Sequence, residues 1–137
     1  MDETNKKIAV IMIRHPIHSN LILHGRRQDN GLFAIPGGHF NPGEAPLRAA
    51  YRELLEETGI KPVLMTPRIT KTISKGPETL EIHLFEAQCP DDLNLKVGND
   101  PDAEFSSFKF LDPRNHDELH VPKNRNIILE YLDSLES

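Results

Sequence analysis

Residues 45–58 constrain this chain of 137 residues more than any other segment. They read as one helix, with Pro46 suited to its first turn and Gly59 to its C-cap. At about 100° per residue, with Glu53 at zero, Glu56 falls near 300° and Glu57 near 40°. Three carboxylates therefore share one arc of about 100°. Ala49 and Ala50 lie on the same arc, so no bulky side chain covers the acids. Leu47, Tyr51, Leu54 and Leu55 form the opposite stripe, which is expected to face the core. Arg52, near 260°, flanks the acids and can pair with one of them. Like charges at i,i+4 and acids at a helix C-terminus both disfavour the helix. A cation is expected to compensate, and crowded carboxylate oxygens are hard ligands that suit Mg²⁺ or Mn²⁺. On the three acids alone, a solvated acidic face explains the pattern as well.

The rest of the chain supplies short strands. Residues 8–13 are apolar and β-branched, as in a buried strand. The turn composition of residues 15–20 and the apolar run 21–24 predict a hairpin. A short apolar piece over 31–35 ends at Pro36-Gly37-Gly38, a tight backbone with positions where side chains would obstruct. Residues 80–87 alternate as a strand, 90–104 read as a polar loop, and 105–111 as another strand. A terminal helix is expected over 123–135, with Ile127, Ile128, Tyr131, Leu132 and Leu135 on its apolar side. The order β-β-β-α-β-β-α predicts an α/β fold, a mixed sheet with helices packed against it.

Composition narrows the class. Sixteen basic and 21 acidic residues leave a net charge of −5. The split is uneven: residues 1–85 carry 11 − 9 = +2 and residues 86–137 carry 5 − 12 = −7. Such a balance argues against a protein that coats nucleic acid. A single cysteine, Cys89, excludes an intramolecular disulfide and a cysteine-rich zinc site. Seven histidines lack zinc-ligand spacing, since neither an H-E-x-x-H nor a His–Cys pattern occurs. The first apolar run is six residues, too short for a secretory or membrane-spanning segment. A cytoplasmic single domain over residues 1–137 is expected, with no membrane partner.

Residues 38–60 run Gly38-His39-Phe40-Asn41-Pro42-Gly43-Glu44-Ala45-Pro46-Leu47-Arg48-Ala49-Ala50-Tyr51-Arg52-Glu53-Leu54-Leu55-Glu56-Glu57-Thr58-Gly59-Ile60. They match the pattern Gly-x5-Glu-x7-Arg-Glu-aliphatic-x-Glu-Glu-x-Gly-aliphatic at every fixed position. The chain thereby resembles the Nudix hydrolase superfamily, and residues 31–37 look like that family's lead-in to the box. The resemblance implies an α/β/α sandwich and metal-dependent hydrolysis of a nucleoside diphosphate linked to another group. It implies that Glu53, Glu56, Glu57 and the Gly37 carbonyl hold Mg²⁺ (or Mn²⁺), with Arg52 orienting Glu53 as general base. Gly38 opens the box. Glu44 is either an auxiliary ligand or a structural cap. Some members of the family use a distal loop acid as base. Glu104 is similar to that residue, with Asp100 and Asp102 as weaker substitutes and an ordinary loop acid as the alternative.

The substrate pocket is less marked. Arg26 and Arg27 are candidates for phosphate, or a surface pair. Asn124 resembles the purine-reading Asn of MutT-type members, or is a helix N-cap. Phe33, Phe85, Phe108 and Phe110 are candidates for stacking on a base, or core residues. His39 is a pocket-lining candidate, and Cys89 reads as an inert thiol. The resemblance favours a (d)NTP cleaved to (d)NMP and pyrophosphate. ADP-ribose or a nucleotide sugar is the alternative raised by Pro77. Dinucleoside polyphosphates, RNA 5′ ends and a non-catalytic nucleotide sensor follow. The expected partner is a small nucleotide, with nucleic acid disfavoured and the chain a monomer or homodimer.

Overall fold

The computed structural model describes residues 5–62, 64–90, 105–114 and 122–135, the side chains at 75 and 122–124 excepted. β1 (Asn5–Ile13) lies inside a four-stranded sheet. It pairs in parallel with β6 (Glu78–Ala87), from Asn5–Thr79 to Ile13–Ala87, and antiparallel with β4 (Gly37–His39). β5 (Met65–Lys75) completes the order β4-β1-β6-β5, antiparallel to β6. A second, antiparallel sheet has the order β3-β2-β7, from β3 (Phe33–Ala34), β2 (Ile22–Arg27) and β7 (Phe105–Leu111).

Alternation along β1 divides the core in two. Ala9, Ile11 and Ile13 pack with Ala49, Ala50 and Leu54 of α1 (Pro46–Thr58). Val10 and Met12 pack with Ile127, Ile128 and Tyr131 of α2 (Pro122–Ser134). A strand buried on both faces needs apolar residues at every position, which is why its end reads as a continuous run. The two helices cover opposite faces of the four-stranded sheet, and the α/β/α expectation holds. Among the described residues no helix is long and apolar enough to cross a membrane.

Four expectations need correction. β1 and β2 do not form a hairpin: both edges of β1 are taken by β4 and β6, and a single bridge, Arg14–Ile22, links it to the next strand. β4 and β5 were not expected as strands. β4 is a glycine pair plus His39. β5 contains Pro67, which a strand admits because β5 is the sheet's edge and bulges between Pro67 and Ile69. Leu135 is exposed rather than part of the apolar side of α2.

The fourth correction concerns α1. Its buried residues are Ala49, Ala50, Leu54, Glu57 and Thr58. Of the expected stripe only Leu54 is buried; Leu47, Tyr51 and Leu55 are 40, 37 and 42% exposed, so most of the stripe does not face the core. Glu57 is buried and Glu53 half-buried, while Glu56 stays exposed, and the two alanines of the arc let the helix backbone approach the sheet. The face assignment predicts opposite responses to substitution. Ala50→Leu is expected to cost about 1–3 kcal/mol by overpacking and Leu54→Ala about 2–5 kcal/mol. Leu55→Ala should stay within about 0.5 kcal/mol. Urea denaturation of the three variants checks this, and a larger loss in Leu55→Ala than in Leu54→Ala would restore the reverse orientation.

Candidate active site

The site begins where Pro36 delivers the chain to two glycines. A Cβ on Gly37 would collide with the Ala9 carbonyl oxygen of β1. A Cβ on Gly38 would lie 2.6 Å from the carboxylate of Glu53. The pair therefore passes between strand and helix only because both side chains are absent. The Gly37 N–H donates to Glu57 Oε1 at 2.7 Å, and Glu57 is only 3% exposed. This charge-assisted bond helps hold an acid in the last helical turn, where the dipole opposes it. Gly59, at φ 79°, closes that turn by donating its N–H to the Leu55 carbonyl at 2.9 Å.

Arg52 gathers the remaining acids. Its Nε and Nη2 donate to the two oxygens of Glu44, each at 2.8 Å. Nη1 donates to Glu53 Oε1 at 2.8 Å and reaches Glu56 Oε2 at 3.5 Å. Nη2 also donates to the His39 carbonyl at 2.9 Å. The backbone N–H of Asn41 donates to Glu44 Oε1 at 2.9 Å. The Arg52 hydrogen bonds, then the Asn41 amide, hold the Glu44 carboxyl down at about 2 against an ordinary 4.5. The same contacts push the Arg52 guanidinium up. Glu44 is thus a lock for Arg52 and for the loop before the helix. It is not the helix cap, because Ala45 occupies that position without a side-chain bond.

Three carboxylates around one guanidinium, with Glu57 on the same helix, leave excess negative charge in oxygen donors, the chemistry of a hard divalent cation. The bare Cα of Gly38 keeps the space beside Glu53 clear. Among the described residues, however, no three acids, histidines or cysteines converge into a closed ligand set. Arg52 draws Glu53 and Glu56 to itself, while Glu57 turns to Gly37. The donor set fits the metal in chemistry: Arg52 holds Glu53 through Oε1 and the Gly37 amide holds Glu57 through Oε1.

The other sequence candidates are dispersed. Arg27 pairs with Asp29 at 2.6 and 2.9 Å, and Arg26 donates to the Gly31 carbonyl at 3.1 Å. Both contacts are local to the turn between β2 and β3. Phe33 does not offer an open face for stacking: it is buried, and the Arg26 guanidinium sits 4.5 Å from its ring centroid. Phe85 is core, and Phe108 and Phe110 pack against it. His39 is exposed and serves through its carbonyl. Asn124 sits in the first turn of α2, which starts at Pro122, so it does not cap that helix. Its side chain lies outside the described residues, as do Glu104, Asp100 and Asp102. Sequence reasoning missed the Asn41 amide and the His39 carbonyl, for which no residue type gives a signal.

The NUDIX domain family matches residues 3–131. An RNA pyrophosphohydrolase from Roseobacter denitrificans is 29% identical over 82% of this chain and 81% of its own length. An octanoyltransferase from Myxococcus xanthus is 30% identical over 77% of this chain, which spans only 29% of that protein's length. A MutT protein structure from Methanosarcina mazei superposes with a TM-score of 0.77 at 18% identity, covering 100% of this chain and 99% of that one.

Two consequences of the geometry can be measured. Gly38→Ala is expected to destabilise the protein by about 1–3 kcal/mol, since Glu53 or the β4 backbone must move, as thermal unfolding would show. The Glu44 contribution works in the opposite pH direction to that of a base. Because its folded-state value is lowered, its stabilisation is complete above about pH 4.5 and is lost as pH falls toward 2. Glu44→Gln should therefore melt below the wild type at pH 7, with a gap that narrows on acidification. A gap that widens below pH 4.5 would contradict the Arg52 lock.

Proposed function

Because this chain belongs to the NUDIX domain family, we propose that it is a Mg²⁺- or Mn²⁺-dependent pyrophosphohydrolase acting on a nucleoside 5′-triphosphate. One observation carries the reading: the Arg52 guanidinium binds Glu44, Glu53 and Glu56 together in a complete Nudix box. Glu53, Glu56 and Glu57 would hold the cation, with the Gly37 carbonyl. When bound, the cation neutralises charge on the phosphate oxygens and makes a coordinated water more acidic.

The chain's own residues do the rest. Arg52 fixes the carboxylate of Glu53 through a 2.8 Å bond, so that Glu53 is oriented before substrate arrives. Glu53 takes the proton as water attacks phosphorus, and pyrophosphate leaves from a (d)NMP. Glu104 is the alternative base. Glu57, anchored to the Gly37 N–H, ties the position of the ligand set to β4.

A second reading replaces the free nucleotide with the 5′-triphosphate end of RNA. The Roseobacter relative, named for that activity and aligned over four-fifths of both chains, favours it. A net charge of −5 weakens binding of a long strand but does not bar a short 5′ end from the box.

The test is a panel of (d)NTPs, ADP-ribose, dinucleoside polyphosphates and 5′-triphosphorylated RNA, with products separated by chromatography. Turnover is expected with Mg²⁺ and none in EDTA. Glu56→Gln and Glu57→Gln should each lower kcat at least a hundredfold, about 2.7 kcal/mol, with melting temperatures near the wild type. Undiminished turnover in EDTA or in both variants would overturn the metal assignment. Binding without turnover of every compound would make the chain a sensor.

A further inference from the structure

We infer a second site, built by Arg14 and Arg68 on the α2 face of the sheet, that binds the phosphodiester of a nucleic-acid strand. Arg14 follows β1, and alternation puts it on the side of Val10 and Met12, which pack against α2. Arg68 is the extra residue of the β5 bulge: Pro67 pairs with Phe85 and Ile69 with Leu84, so nothing opposes it. Bulges re-aim a side chain in this way. The site lies on the face of the sheet opposite the box helix.

Both arginines converge on one acid and one ring. Arg14 Nε lies 3.0 Å from Glu86 Oε2, and Arg68 Nε donates to Glu86 Oε1 at 2.9 Å. The two guanidinium carbons sit 6.0 and 5.7 Å from the centroid of the buried Tyr131 ring. The Tyr131 hydroxyl is 3.5 Å from Glu86 Oε1. Stacking over a fixed ring and sharing a fixed carboxylate preorganises both side chains. Arg14 Nε is buried without a hydrogen bond, and among the described residues no acceptor meets the Nη nitrogens of either arginine.

Charge counting identifies the ligand. Lys71 meets Glu130 and Arg114 meets Asp133 nearby, each at 2.7 Å. Here two guanidiniums meet one carboxylate, 2 − 1 = +1. That excess matches one monoanionic phosphodiester, whose oxygens a guanidinium fork can meet bidentately. The inference does not depend on the hydrolase reading, because its test uses a strand with no anhydride to cleave.

The probe is a fluorescent single-stranded RNA with a 5′-hydroxyl end, followed by anisotropy across a salt series. Arg68→Gln is the main variant, since Glu86 keeps Arg14 and the fold keeps its ion pair. It should weaken RNA binding about tenfold and reduce the slope of log K against log salt by about one. Arg68→Lys should retain the slope, and each variant should keep a melting temperature near the wild type's. Equal RNA affinity and equal slope in wild type and Arg68→Gln would overturn the site. Inorganic phosphate displacing the RNA with an affinity equal to the strand's would show a small-anion site and overturn the strand assignment.

Discussion

The Arg52 guanidinium holds both oxygens of Glu44, one oxygen of Glu53 and the carbonyl of His39 within 2.9 Å. The rest of the site depends on that cluster. Without it, Glu44, Glu53 and Glu56 would repel one another across one helix and the loop before it. With it, the loop is tied to α1, and Glu53 has a defined orientation. Arginine suits the role better than lysine because its planar fork reaches several acceptors at once. The guanidinium stays charged across any working pH, so the cluster titrates only through its acids.

Close approach is the second requirement. β4 runs between β1 and α1, and the two glycines are what make the gap passable. Ala49 and Ala50 do the same from the helix side, so the interior of this region is built from backbone and carboxylate. The helix gives up the burial of Leu47, Tyr51 and Leu55 in exchange. Each would contribute roughly 1.5–3 kcal/mol if fully buried.

The legible parts of the sequence were those with local causes. α1 was bounded correctly by Pro46 and Gly59, because cap and first-turn preferences act within a few residues. β6 and α2 followed from their periodicity. β5 was not legible, because Pro67 and its run of Thr and Lys deny the strand pattern, and only its edge position and bulge make it admissible. The β1–β2 hairpin was a reasonable local reading that failed because strand pairing is a competition: β4 and β6 occupy both edges of β1. The orientation of α1 failed for a related reason. A hydrophobic stripe predicts the buried face only when burial of apolar area outweighs everything else, and here Glu53 and Glu57 face β4.

By itself, the sequence determined the chemistry available: a helix with Glu53, Glu56 and Glu57 on one arc, an arginine beside them, and glycines at 37 and 38. Those follow from residue identity and a fixed helical pitch. Only the tertiary structure decided which groups meet. It set Glu57 on the Gly37 amide, made Glu44 a lock for Arg52, sent Arg27 to Asp29, and brought Arg14, just after β1, and Arg68 of β5 to one acid. The reason is physical. Spacing along one helix is fixed by covalent geometry, whereas contacts between elements depend on which strand edges and faces remain open once the others have paired.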